Sequence, residues 1–231
     1  MHTTIIIHPK YEYLRRFIEQ LPDDFLQSGE YIHDGRNKIK KFVTQGLTVN
    51  VKRYRIPFFL NRLVYNRFRP TKAERAYEYA LKLRGMNVNT PEPIAYIVRS
   101  CGGMLEYCYF ISVQVAYPRR CYEFKDASLP AVSSVVTALA QYTAHLHHLG
   151  VYHKDYSPGN ILFDEINGQW EFCLVDINRM EFRKVNMVKG CRNFARLWGS
   201  EDMFRLLAQE YGLARHFDQN ECVRLVLKYR K

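Results

Sequence analysis

An acid, an amide five residues later and a second acid behind an apolar strand lie between His153 and Asp176. The first stretch reads His153-Lys154-Asp155-Tyr156-Ser157-Pro158-Gly159-Asn160-Ile161-Leu162-Phe163, and the second reads Leu174-Val175-Asp176. These residue types suit phosphoryl transfer. That chemistry needs a carboxylate to orient an attacking hydroxyl and accept its proton. It also needs hard oxygen ligands that hold magnesium against nucleotide phosphates. Asp155 suits the first task; Asn160 and Asp176 suit the second. Turns also use Asp, Pro, Gly and Asn for backbone reasons alone. The flanking apolar runs separate the two readings. Asn160 opens Ile161-Leu162-Phe163, and Asp176 closes Phe172-Cys173-Leu174-Val175. A turn at Glu165-Ile166-Asn167-Gly168 would carry both ligands to one end of a hairpin.

The elements that must position these groups follow from periodicity. Pro130 to Leu149 has helical spacing and stops at Gly150, which feeds Val151-Tyr152-His153 into the loop. His145, His147 and His148 close that helix. No cysteine or acid sits at ligand spacing, so they are read as histidines suited to the helix dipole rather than as a metal site. Leu47 to Tyr54 alternates as a strand and carries Lys52 after Val49 and Val51. A lysine so placed pairs with nucleotide phosphates in kinases. Thr71 and Glu74 form a capping-box pattern before a helix. Glu74, or alternatively Glu78 one turn on, could reach Lys52 as its acidic partner. The turn Gly35-Arg36-Asn37 lies between two strands and offers a glycine and a cation to a phosphate, although an ordinary hairpin turn explains it equally.

Thr3 to Ile7 reads as a strand, and Tyr11 to Leu26 as a helix interrupted by Pro22. Pro57 to Thr71 interleaves aromatic residues with Arg62, Arg67 and Arg69. Three readings stay open for Phe58 to Arg69: an interfacial membrane helix, a helix packed on its own domain, or a basic face toward an anionic substrate. Ile94 to Val98 and Met104 to Val115 read as strands. Beyond Asp176, helical stretches are expected at Gly190 to Trp198, Asp202 to Leu213 and Gln219 to Tyr229. With no Ala-Pro-Glu segment and a short tail, a folded protein substrate is disfavoured.

Composition bounds the partners. The 34 Lys+Arg exceed the 23 Asp+Glu, for a net charge of +11. That surplus favours an anionic partner such as nucleic acid, an acidic membrane face or a phosphorylated substrate. The six cysteines lack any Cys-x-x-Cys pair and read as buried thiols of a reducing compartment. No signal peptide and no run of eighteen apolar residues is found, so a cytoplasmic protein with at most peripheral membrane contact is expected.

The catalytic-loop stretch, Leu174-Val175-Asp176-Ile177-Asn178-Arg179-Met180, Lys72-Ala73-Glu74-Arg75 and Thr90-Pro91-Glu92-Pro93 together resemble the bacterial lipopolysaccharide core kinases. These are the Kdo and core heptose kinases, relatives of RIO-type kinases. The resemblance spans roughly residues 30–210. It implies an α+β, compact bilobal protein-kinase-like fold, with an antiparallel sheet plus helix at 1–115 and a mostly helical lobe at 116–231. It implies an ATP- and Mg-dependent enzyme that phosphorylates a sugar hydroxyl of the lipopolysaccharide inner core at the inner face of the bacterial inner membrane. Lys52 would contact phosphates, Glu74 would hold Lys52, Asp155 would be the acid/base, and Asn160 and Asp176 would bind magnesium. Ile177-Asn178 stands where Phe-Gly is usual, so no regulated flip of that segment is implied. Lys154 beside the base would either help neutralise the transferring group or face solvent. The anionic glycolipid and membrane surface account for the basic surplus, and no nucleic-acid partner is expected. The rivals are a RIO-like or small-molecule kinase of the same fold, and a non-catalytic nucleotide-binding scaffold.

Overall fold

The computed structural model describes residues 2–55, 70–102 and 104–230. The arginine-interleaved segment 58–69 lies outside the described residues. The chain divides into two compact units, residues 1–85 with 91–115 and residues 86–90 with 116–231.

The first unit is built on a six-stranded antiparallel sheet. Its strands are β1 (His2–Ile7), β2 (Glu30–Asp34), β3 (Lys38–Thr44), β4 (Leu47–Arg53), β5 (Pro93–Cys101) and β6 (Met104–Val113), in the order β1-β5-β6-β4-β3-β2. Alternation in β4 sorts its side chains between two faces. Val49 and Val51 are fully buried with Tyr109, Ile111, Ala95 and Ile97 against Leu14, Ile18, Leu21 and Phe25 of helix α1 (Arg15–Asp24) and its ends. The opposite face receives α2 (Lys72–Gly85), whose Tyr77 ring lies 5.4 Å from that of Tyr96 on β5. The β3–β4 turn uses Gln45 and Gly46, both at positive φ (46° and 76°), as a two-residue hairpin demands.

The expected break at Pro22 does not occur. A 3-10 turn over Pro9–Leu14 takes up the start of the expected helix, and α1 runs through Pro22 to Asp24. Pro22 sits in the last turn, so its missing N–H forfeits only the bond to the Ile18 carbonyl.

The second unit is mostly helical. Helix α3 (Leu129–His148) packs against α5 (Glu201–Arg215), which packs against α6 (Gln219–Tyr229); α4 (Met187–Asn193) also rests on α6. Gly150 adopts φ 74° after α3 and donates its N–H to the His147 carbonyl, turning the chain into β8 (Val151–His153). Strands β9 (Ile161–Ile166) and β10 (Gln169–Leu174) form the expected hairpin, with β7 (Arg119–Arg120) beside β9. Its Asn167-Gly168 turn has φ of 53° and 75°. A short β11 (Met180–Phe182) pairs with β8. Five cysteines are buried as expected; Cys101, at the end of β5, is exposed.

Candidate active site

Three short elements converge on Asp155. β8 delivers His153 as a buried imidazole. Its Nε2–H donates to the Val175 carbonyl at 2.9 Å, and its Nδ1 accepts from the Asp155 N–H at 3.1 Å. Burial lowers the His153 pKa, so the neutral ring serves as a rigid bracket between the loop and the end of β10. The Asp155 carbonyl then accepts twice, from the Ser157 N–H at 2.8 Å and from Asn160 Nδ2 at 2.9 Å. Tyr156 anchors the loop inward, its hydroxyl 2.7 Å from that of Thr143 on α3.

The hairpin performs the second positioning. The Val175 N–H donates to the Asn160 carbonyl at 3.0 Å, extending the β9–β10 ladder by one pair. Asn160 and Asp176 therefore stand at one end of the hairpin, as their spacing anticipates. Because Asn160 Nδ2 is used on the Asp155 carbonyl, its side-chain oxygen is the atom left to ligate a cation. Asp176 sits in the left-handed region (φ 55°, ψ 42°), where Asp and Asn are tolerated best among non-glycine residues. Its Oδ1 accepts from Asn178 Nδ2 at 2.7 Å. An amide oxygen and a carboxylate are the hard donors that magnesium takes, with waters and phosphate oxygens completing its shell. Among the described residues no group of three or more His, Cys, Asp or Glu is placed to hold a metal ion.

Charge around the loop is concentrated and mostly positive. The Asp155 carboxylate pairs with Arg196 and, at 4.0 Å, with Arg179. Lys154 is more than half exposed and meets Glu181 at 3.1 Å. Glu181 also binds Lys189 at 2.8 Å and Arg183 at 2.7 Å. The Lys189 hydrogen bond above all, with Lys154 and Arg183, holds the Glu181 carboxyl down to about 2.

Residues invisible to spacing arguments complete the frame. Asn193, at the end of α4, donates Nδ2 to the His153 carbonyl at 2.9 Å, and its Oδ1 accepts from His147 Nε2–H at 3.0 Å. His147 Nδ1 then takes the Tyr211 hydroxyl at 2.9 Å. Burial pushes the His147 pKa to about 4, so it is neutral and structural. The dipole reading of the histidine cluster does not hold for His147. Arg196 and Asn193 lie about 40 residues from the loop in sequence, beyond the reach of any local pattern.

The first unit presents the other expected residues. Lys52 pairs across the sheet with Phe110, and Phe110 with Tyr96, so the three side chains share one face. That is the face covered by α2. Glu74 and Glu78 both lie close enough to Tyr96 to raise its pKa, after burial, which is the larger cause. Glu74 also closes the capping box: its carboxylate accepts from the Thr71 N–H, and its N–H donates to Thr71 Oγ1, each at 3.2 Å. Lys52 Nζ stands 5.3 Å from the Tyr54 ring centroid. Gly35 and Arg36 are exposed in the β2–β3 turn, and Asn37 accepts the Arg55 N–H at 3.1 Å. Lys38 opposes Arg53, and Ile39 opposes Lys52, so this turn lies at the Lys52 end of the sheet.

A six-stranded order of β1-β5-β6-β4-β3-β2 with a helix on the lysine face, and a clamped Asp–Asn loop feeding a hairpin, fit a kinase-like protein. The chain belongs to the lipopolysaccharide kinase (Kdo/WaaP) family, whose model matches residues 19–229. The match reaches beyond the motifs into α1 and α6. Among solved structures, the chain is similar to WaaP in complex with acyl carrier protein, with a TM-score of 0.65 and 14% identity. That similarity covers 98% of this chain and 94% of the other. No curated protein matches the chain.

Proposed function

We propose that this member of the lipopolysaccharide kinase family transfers the γ-phosphoryl group of Mg-ATP to a sugar hydroxyl of the lipopolysaccharide inner core, on Kdo or heptose. The observation that carries the reading is the clamped loop. Asp155 has its backbone held by Ser157 and Asn160 and its carboxylate paired with Arg196 and Arg179, while Asn160 and Asp176 stand together at the hairpin end. Magnesium, when bound, neutralises the charge that develops on the transferring group.

The chain's own residues do the rest. Asp155 orients the acceptor hydroxyl and takes its proton. Asn160 and Asp176 hold the metal. Lys52 contacts the phosphates, with Glu74 or Glu78 as its acidic partner, and the Gly35-Arg36-Asn37 turn closes on them. Catalysis rests on positioning and charge stabilisation. The net charge of +11 supports an acceptor rich in carboxylates and phosphates, approached peripherally at the cytoplasmic face of a membrane. Among the described residues no helix is long and apolar enough to cross a membrane. Incubating the protein with Mg-ATP and lipid A bearing Kdo, then weighing the lipid, tests this. A gain of one phosphate that vanishes with EDTA is expected. An unmodified lipid alongside ATP-dependent modification of a small molecule or protein would move the reaction to another acceptor class.

A further inference from the structure

The second unit carries two exposed aromatic rings beside the Asp155 loop that the fold itself does not explain. Tyr122 lies in a 3-10 turn between Cys121 and Phe124, both buried. Trp198 follows Leu197, also buried, two residues after Arg196. Each aromatic is 45% exposed, yet their ring centroids are 5.1 Å apart. Large rings held in a pair at the surface by buried neighbours, tilted 54° to one another, form an angled shelf rather than a stray exposed residue. The shelf abuts the loop. A Cβ at Gly159 would stand 2.6 Å from the Tyr122 hydroxyl, so this tyrosine lies directly against the residue before Asn160. On the other side Arg196 reaches Asp155 itself, with Arg179 on the second carboxylate oxygen. Both arginines are more than half exposed.

We propose that Trp198, Tyr122, Arg196 and Arg179 form the acceptor subsite, taking an acidic sugar whose ring lies on the aromatic shelf and whose carboxylate or phosphate lies against the arginines. This rests on the kinase reading above and assigns its acceptor site to residues. The chemistry matches each part. The C–H face of a sugar ring is apolar and weakly positive, and it suits the negative face of an aromatic ring. Guanidinium groups match the oxyanion geometry of a carboxylate or phosphate. In the free protein Asp155 occupies those arginines. An incoming sugar oxyanion takes its place on them and leaves the Asp155 carboxylate to the neighbouring hydroxyl. Binding of an anionic sugar and release of the base are thereby one event. A neutral sugar would meet the shelf but leave Asp155 on Arg196.

The test combines kinetics with tryptophan fluorescence on the full chain. Trp198→Ala and Arg196→Gln should each raise the KM for the core acceptor by about tenfold. Trp198→Phe should recover most of the loss, and Mg-ATP affinity and the melting temperature report that each variant is folded. In the wild type, free Kdo and glucose 6-phosphate should change tryptophan emission while glucose does not, and Trp198→Phe should abolish the change although Trp170 remains. An unchanged acceptor KM in folded Trp198→Ala, or an equal response to glucose, overturns the subsite. If the wild type modifies no core acceptor, the kinase reading fails, and a Trp198-dependent response to acidic sugars alone would still uphold the subsite.

Discussion

Lowering the pH from 7 to 5 should destabilise the helical unit through His147. Burial between α3, α4 and α5 holds this ring at a pKa of about 4, against an ordinary value of 6.5. Between those values the unfolded chain accepts a proton that the folded chain refuses. Stability is therefore complete above pH 6.5 and is lost as the pH falls toward 4. Integrating the two titrations from pH 7 to 5 gives a loss of about 2 kcal/mol. For a chain of this size that is roughly 4–8 °C in melting temperature. His153 is lowered by burial too and adds in the same direction. Glu181 does not interfere: its stabilisation is present above the ordinary carboxylate value of 4.5 and fades only below it. Melting curves at half-unit pH steps, for the wild type and His147→Gln, measure the effect. The variant should show a shallower slope between pH 7 and 5. Equal slopes in the two proteins would refute the argument.

The same network yields further expectations. Asn193→Ala strands the His153 carbonyl and the His147 Nε2–H, and should cost about 2–5 kcal/mol in denaturant unfolding; a loss below about 1 kcal/mol would show that other groups fill in. Gly190→Ala would place a methyl 1.9 Å from the Tyr211 hydroxyl and 3.3 Å from His147 Nδ1, so unfolding should report a loss of about 1–3 kcal/mol from overpacking. Glu74→Gln keeps an oxygen for the Thr71 cap while removing the charge, and Glu78→Gln removes the alternative partner. Whichever of the two lowers kcat by about tenfold or more identifies the carboxylate that holds Lys52. Neither doing so would remove the ion pair from the mechanism.

What sequence reasoning could reach was local. The Asp155-to-Asn160 loop, the Asn167-Gly168 hairpin and the Thr71–Glu74 capping box each depend on residues within a few positions, so spacing exposes them. Strand β1 and helix α1 were legible as elements, although Pro22 misleads because a proline near a helix end sacrifices only one hydrogen bond. Partners brought in by tertiary folding were not legible. Asn193, Arg196 and Tyr211 meet the loop or its supports from 40 to 64 residues away. They sit in helical text whose period reports burial and nothing about a partner. Spacing likewise showed nothing of the pairing of Lys154 with Glu181, which Lys189 and Arg183 share. Tyr122 and Trp198 had no signal at all, since an exposed aromatic has no period.

The account turns on Asp155. The most direct measurement is the transfer of labelled γ-phosphate from Mg-ATP to lipid A–Kdo by the wild type and Asp155→Ala, with nucleotide affinity measured on both. The account predicts labelled glycolipid with the wild type, at least about a thousandfold less with the variant, and Mg-ATP affinity nearly the same in each. Equal labelling by Asp155→Ala would contradict it.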